Sequence, residues 1–182
     1  MTRPEDGTPM LAAPAALLGE GLLLRPWALE DAAALEEACG DADICRFTTV
    51  PRRYSLAEAR SWIERQHGRL ADGGVVLAVV PDLAARPVGM VALFGLGRPD
   101  PPPRFGYWVI GEFRGRGLAE RAARTLGRWA RAEHAVQTLI IDVEPANAAS
   151  HRVAAKLGAQ PVGEVSAGGV PLIRYTVSSA AL

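Results

Sequence analysis

Lysine is almost absent from this chain; Lys156 is its only example and follows an alanine. That excludes a G-x-x-x-x-G-K-[ST] phosphate loop, which needs a lysine directly after its second glycine. Cysteine is nearly as scarce. Cys39 and Cys45 lie six residues apart near an expected helix end, and they read as free thiols of a reducing cytosol rather than a disulfide framework. His67, His134 and His151 are far apart and share no ligand spacing with them, so no metal is expected. Net charge is lacking too. Twenty basic and twenty acidic side chains leave a formal charge of zero, whereas nucleic-acid binders normally carry a strong basic excess. Nor is there a long apolar run. The opening stretch to Gly21 is broken by Pro4, Pro9 and Pro14 and carries Glu5 and Asp6, which suits neither a signal peptide nor a membrane span. The expectation is a cytoplasmic protein with no membrane and no nucleic-acid partner, whose residues 1–19 form a loose tail.

What is present is organised around Phe105 to Glu133. Phe105-Gly106-Tyr107-Trp108-Val109-Ile110 reads as a strand. A turn, Gly111-Glu112-Phe113, leads to Arg114-Gly115-Arg116-Gly117-Leu118-Ala119. The period then changes: Leu118, Ala122, Leu126 and Trp129 fall on one helical stripe, with Arg121, Arg124, Arg128 and Arg131 largely off it. Glycines at a helix start let another molecule approach the main chain, and the first-turn N–H groups have no partner inside the helix. With the helix dipole they form an anion site, to which Arg114 and Arg116 add charge. The plain alternative is a surface turn with solvated arginines. A dinucleotide G-x-G-x-x-G is excluded, because the third glycine is missing and the turn comes late in the chain.

At 182 residues, 49% of them apolar, the chain suits one domain with a real core, expected over 20–178 with a short tail at 179–182. Gly21 to Trp27 reads as a first strand and Leu29 to Cys39 as a helix stopped at Gly40. Asp43 to Arg53 reads as a connection. Ser55 with Glu58 is a capping box opening a helix whose apolar face is Ala59, Trp62, Ile63 and Leu70. Strands follow at Val75 to Val80 and Val88 to Leu96, joined through Pro81 to Pro87. After the arginine-rich helix, Thr138 to Val143 is apolar enough for a central strand. A short helix from Ala148 to Leu157 ends at Gly158, and two closing strands lie near Val162 to Val165 and Leu172 to Val177. The order β-α-α-β-β-β-α-β-α-β-β implies an α/β fold: a mixed, mostly antiparallel central sheet with helices on both faces and one parallel crossover.

Arg114 to Ala119 resembles the Q/R-x-x-G-x-G/A motif of the GCN5-related N-acetyltransferases, the GNAT family. Asn147-Ala148-Ala149-Ser150-His151-Arg152-Val153-Ala154-Ala155-Lys156-Leu157-Gly158 resembles that family's second segment, N-x-x-S-x-x-V-x-x-K-L-G. The likeness covers roughly Gly21 to Val177 and is narrowest to the ribosomal-protein alanine and serine N-acetyltransferase branch. It implies the acyl-CoA N-acyltransferase fold. It also implies acetyl-CoA as acyl-donor cosubstrate, its pantetheine arm in a gap between the strand ending at Val109 and the strand from Thr138. Val109, Ile110 and Gly111 would then offer main-chain groups to the arm. Arg114, Gly115, Arg116, Gly117, Leu118 and Ala119 would hold the diphosphate. Asn147 would bond the arm and Ser150 would lie near its thiol end. Asn147 is equally a good N-cap, and the two roles are compatible. The sequence departs from the family at Ala159, at Gly111 and at Ala154, the last standing where some members carry a general-acid tyrosine.

The resulting expectation is transfer of an acetyl group to a primary amine, with a protein or peptide N-terminal α-amine as acceptor. Val109 or Ile110 N–H would polarise the carbonyl. Glu144 leads Glu112 as candidate base, although it also reads as a solvated turn carboxylate; Ser150 would protonate the leaving sulfur. Three alternatives stay open: a small-molecule amine acceptor (amino acid, polyamine or aminoglycoside), a non-catalytic acyl-CoA-binding protein, and a nucleic-acid binder using the arginine-rich helix. A monomer or homodimer suits all of these.

Overall fold

The computed structural model describes residues 13–81, 84, 86–98 and 100–182. Eight strands form one sheet: β1 (Leu17–Gly19), β2 (Leu22–Pro26), β3 (Gly74–Pro81), β4 (Gly89–Phe94), β5 (Arg104–Val109), β6 (Thr138–Val143), β7 (Gln160–Ala167) and β8 (Val170–Ser178). Their spatial order is β1-β2-β3-β4-β5-β6-β8-β7. Every neighbouring pair is antiparallel except β5 with β6. That one parallel pair is bridged by α4 (Leu118–His134), as a crossover connection requires. The mixed, mostly antiparallel architecture read from the element order is the one found.

Helices cover both faces. On one side α4 and α5 (Ala148–Lys156) seal the larger core, which includes Leu24, Leu77, Val91, Leu126, Leu139 and Ile141. On the other, α1 (Ala32–Gly40), α2 (Ala42–Phe47) and α3 (Leu56–His67) close a second core around Trp27, Leu35, Ile63 and Trp108. Covered on both sides, β3 reads as an unbroken apolar run, and its residues through Val80 are buried. Truncating a fully buried leucine of this packing, such as Leu126, costs about 2–5 kcal/mol.

The capping box opening α3 is formed: Ser55 N donates to Glu58 Oε2 at 2.8 Å and Glu58 N to Ser55 Oγ at 3.3 Å. Three sequence expectations need correction. The tail expected to residue 19 ends earlier, because Leu17–Gly19 pair with Leu22–Leu24 as an edge hairpin; residues 1–12 of that tail lie outside the described residues. The connection expected from Asp43 holds a helix, α2, since Asp41 Oδ1 accepts the N–H groups of Asp43 and Ile44 as an N-cap. The C-terminal tail is anchored: Ser179 Oγ donates to Val136 O at 2.6 Å, and Arg124 Nη1 donates to Ala181 O at 3.1 Å.

Three arginines of α4 are engaged within the fold. Arg121 donates to the carbonyls of Glu20 and Gly21, Arg124 to Glu120 and Lys156 O, and Arg128 to Glu20. Cys39 and Cys45 are free thiols, and burial pushes the Cys39 thiol up to about 11. Among the described residues no helix is long and apolar enough to cross a membrane.

Candidate active site

The one parallel strand pair is barely a pair. β5 and β6 meet only where Arg104 stands opposite Ile140, with Ile140 N donating to Pro103 O at 2.9 Å. Beyond that bridge the strands separate. On its other edge β5 is zipped to β4, and Ile110 N donates to Val88 O at 2.9 Å. Main-chain groups of an extended strand alternate in direction. Ile110 and Trp108 therefore serve β4, while Tyr107 and Val109 turn their N–H groups toward the opened edge. The result is a groove of about 640 Å³ whose walls include Tyr107 and Val109 on β5, the turn before α4, and the face of α5 from Asn147 to Lys156.

At one end of the groove the chain enters α4 through two left-handed glycines, Gly115 at φ +78° and Gly117 at φ +71°. A Cβ at Gly115 would meet no atom within 4 Å. The glycines are thus required by backbone conformation, not by crowding from within the fold. Gly117 is the N-cap and has no side chain with which to cap, so the first N–H groups of α4 are left for an external acceptor. Leu118, Ala119 and Glu120 line the groove beside them. At the other wall, Asn147 Oδ1 caps α5 by accepting Ser150 N at 3.0 Å, which places Ser150 in the first turn facing the groove.

The sequence from 21 to 160 matches the family model of the acetyltransferase (GNAT) domain. The chain belongs to the GNAT acetyltransferase family. It is a GNAT-fold acetyltransferase that uses acetyl-CoA. No curated protein sequence matches it significantly. Its fold is shared with a putative ribosomal-protein-serine acetyltransferase from Vibrio cholerae, 18% identical over 92% of this chain and 99% of that one, TM-score 0.77. Mycobacterium smegmatis RimJ, in complex with CoA-disulfide, is 17% identical over 92% of this chain and 87% of that one, TM-score 0.77. The ribosomal-protein-S5-alanine acetyltransferase of Vibrio fischeri is 18% identical over 91% and 97%, TM-score 0.74.

The residues of this acetyltransferase fit an amide-rich arm ending in a diphosphate. An opened strand edge suits the amides, and an uncapped helix start behind two Cβ-free positions suits the anion. Of the residues singled out in the sequence, Val109, Arg114, Gly115, Gly117, Leu118, Ala119, Asn147 and Ser150 line the groove. Four others do not. Ile110 has given its N–H to Val88, and Gly111 donates its own to Asp41 Oδ2 at 3.0 Å. Arg116 folds back on Glu112 O and over the Phe113 ring. Glu144, half-buried at the end of β6, stands outside the groove walls. Glu112, the lesser candidate base, is ion-paired with Arg86 at 3.2 Å.

Arg114 lines the groove, but its nitrogens are occupied. Nε donates to Val109 O at 2.9 Å, Nη1 to Asp43 at 2.9 Å, and Nη2 to both oxygens of Asp41 at 2.8 Å. Burial opposes ionisation of Asp41, but hydrogen bonds from Arg114 and from the Ile44 N–H outweigh it and hold the carboxyl below its ordinary value. Arg114 is therefore a brace between the start of α2 and the turn.

Further positive charge comes from Arg152 and Lys156, four residues apart on α5 and both on the groove wall, although Lys156 Nζ also lies 3.7 Å from Glu120 Oε2. Sequence reasoning passed over them, although their spacing, three and seven residues after Ala149, puts them on one helical face with it. It also passed over Ile44, Phe47 and Thr48, which α2 brings to the mouth, and over Tyr107, whose place in a strand gave no sign that its hydroxyl would sit beside Ser150.

Proposed function

We propose that this acetyltransferase moves the acetyl group of acetyl-CoA to the α-amine at a protein or peptide N-terminus. The observation that carries the reading is the opened β5 edge, which runs from the Gly115–Gly117 turn to Ser150 and gives donor and acceptor a shared place to meet. In this reading the first-turn N–H groups of Leu118 and Ala119 receive the diphosphate, with Arg152 and Lys156 adding charge. Arg114 fixes the turn. The Asn147 amide bonds the arm. Ile110, Gly111 and Arg116 shape the turn without touching the donor.

The chemistry asked of the side chains is modest. Alignment of a neutral amine against the thioester supplies most of the rate, and the Val109 N–H polarises the carbonyl. Ser150 gives a proton to the departing sulfur. Glu144, outside the groove walls, acts on the amine only through water. Such a distant base suits an α-amine, whose pKa of about 8 leaves far more free base at neutral pH than a lysine at about 10.4. The fold-level likeness to proteins described as ribosomal-protein serine and alanine acetyltransferases supports the same acceptor class.

A thiol-release assay with acetyl-CoA tests this. Peptides with free N-termini beginning with Ala, Ser, Thr or Met are compared with N-terminally blocked lysine peptides, polyamines and aminoglycosides. The free N-termini should be acetylated with the highest kcat/KM. Preference for a blocked lysine peptide or a polyamine rejects the acceptor and leaves the donor site standing.

A further inference from the structure

One wall of the groove holds a polar atom that the fold leaves unused. Tyr107 packs its ring, partly buried, against the α4–α5 side of the sheet. Its Oη is closed off from solvent and makes no hydrogen bond of good geometry. A buried hydroxyl without a partner is destabilising, so its presence at a working groove calls for a reason. Ser150 lines the same groove from the facing wall, with its hydroxyl near enough to the phenol to influence it. The Ser150 backbone is already fixed, its N–H held by Asn147 Oδ1 at 3.0 Å. Only the serine hydroxyl remains free to turn.

We propose that Tyr107 is a positioning residue whose O–H donates to Ser150 Oγ and so directs the Ser150 O–H toward the inner end of the groove. The inference rests on the acetyl-transfer reading above. A serine hydroxyl has one proton and two lone pairs. Once a lone pair is taken by the phenol, the serine proton must point away from Tyr107, toward the position of the departing sulfur. Burial pushes the Tyr107 phenol up to about 12, so it remains a donor throughout the working pH range. Proton balance needs nothing from Tyr107. As the C–N bond forms and the C–S bond breaks, Ser150 gives its proton to sulfur, and the proton shed by the amine returns to Ser150 through water.

The test compares wild type, Tyr107→Phe (Y107F), Ser150→Ala (S150A) and the double variant. Thiol release at saturating substrates, acetyl-CoA calorimetry and NMR of ¹³Cζ-labelled tyrosine in the unliganded protein are the three measurements. Y107F should lower kcat roughly 10-fold, the worth of one hydrogen bond, and leave the acetyl-CoA Kd within about twofold. The double variant should turn over no more slowly than S150A, because Tyr107 acts through Ser150. Without ligand, the Tyr107 Cζ resonance, identified by its loss in Y107F, should move in S150A. Unchanged kcat in Y107F, multiplied losses in the double variant, or a Cζ resonance indifferent to S150A each overturns the inference. So does a large loss of acetyl-CoA affinity in Y107F, which would mean direct contact with the donor. The proposed function fails differently, through a wild type that binds acetyl-CoA and releases thiol with no amine; the Cζ resonance still reads the Tyr107–Ser150 contact in that case.

Discussion

Asp41 and Arg114 are 73 residues apart in sequence, and both carboxylate oxygens of the aspartate lie 2.8 Å from one guanidinium nitrogen of the arginine. The same carboxylate caps α2 through the N–H groups of Asp43 and Ile44 and receives Gly111 N–H. One side chain thus ties α2, at the mouth of the groove, to the turn that precedes the α4 start. Arginine beside a glycine-rich turn suggests an anion ligand; here its charge is answered from within the chain.

Removing this hub should cost more than a surface ion pair. Asp41 is only 14% exposed in its side chain, and its loss leaves three N–H groups without their acceptor and Arg114 with Asp43 as its one remaining carboxylate. Hydrogen bonds to a charged, largely buried group and a lost N-cap together suggest a cost of about 3 kcal/mol for Asp41→Ala. For a chain of this size that is a fall in Tm of roughly 6–12 °C. Acetyl-CoA affinity should weaken as well, by roughly 10-fold, because the turn loses its brace. Calorimetry and thermal melts check both. A D41A protein with unchanged Tm would show that the hub is not stabilising.

Acid should release the same restraint. The Asp41 and Asp142 carboxyls are both held below their ordinary value of 3.8. For Asp142 burial works the other way, but the Arg174 guanidinium at 2.8 Å prevails, with Arg104 helping from 3.4 Å. A depressed folded-state value means that the stabilisation is complete above the ordinary value and disappears as pH falls through the lower, folded one. Wild-type Tm should therefore drop steeply roughly between pH 5 and pH 2, and the D41N/D142N double variant should have a lower Tm at neutral pH and a shallower acid slope. Parallel slopes for the two proteins would contradict the assignment.

These relationships mark where the sequence was legible and where it was not. Local signals carried well. The Ser55–Glu58 box, the period change at Leu118 and the unbroken apolar run of β3 all depend on neighbours in the chain, and each forms the expected element. The groove was legible through its glycines and Asn147, whose requirements are also local. What escaped notice depended on distant contacts. Nothing near Arg114 announces Asp41, and nothing near Ile110 says that Val88 will take its N–H. The short helix α2 was missed because a six-residue element has too little periodicity to read, and its one signal was a capping aspartate. Leu17–Gly19 looked like tail because three residues become a strand only by pairing.

Gly117→Asp should separate binding from folding. At φ +71° an aspartate is tolerated at a cost of about 1 kcal/mol, and its Cβ would come no nearer than 3.8 Å to the Arg121 side chain. The fold should survive with Tm lowered by roughly 2–4 °C. The new carboxylate, however, stands at the proposed diphosphate site, so acetyl-CoA affinity should fall more than about 100-fold. Gly117→Asn, similar in shape but neutral, should lose much less. Equal affinity in folded G117D and wild type, measured by calorimetry, would remove the diphosphate from this turn.

Asn147 offers the cleanest division between a structural and a coenzyme role, because its two side-chain ends do different things. Oδ1 caps α5 at Ser150 N, 3.0 Å away, while Nδ2 makes no hydrogen bond among the described residues and lies on the groove wall. Serine and aspartate cap helices about as well as asparagine does, and alanine costs about 1 kcal/mol. Asn147→Ser keeps a capping oxygen and removes the amide donor without adding charge. Asn147→Asp keeps the cap, gains a favourable charge at the helix start and loses the donor. If the amide donates to the pantetheine arm, both variants should hold or raise Tm while acetyl-CoA affinity falls, by roughly 10-fold for N147S and further for N147D, whose charge opposes the diphosphate. Asn147→Ala should lose on both counts, with Tm down roughly 2–4 °C. The opposite pattern, with N147S at wild-type affinity and N147A losing stability alone, would reduce Asn147 to a cap and leave Val109 and the first turn of α4 to hold the donor.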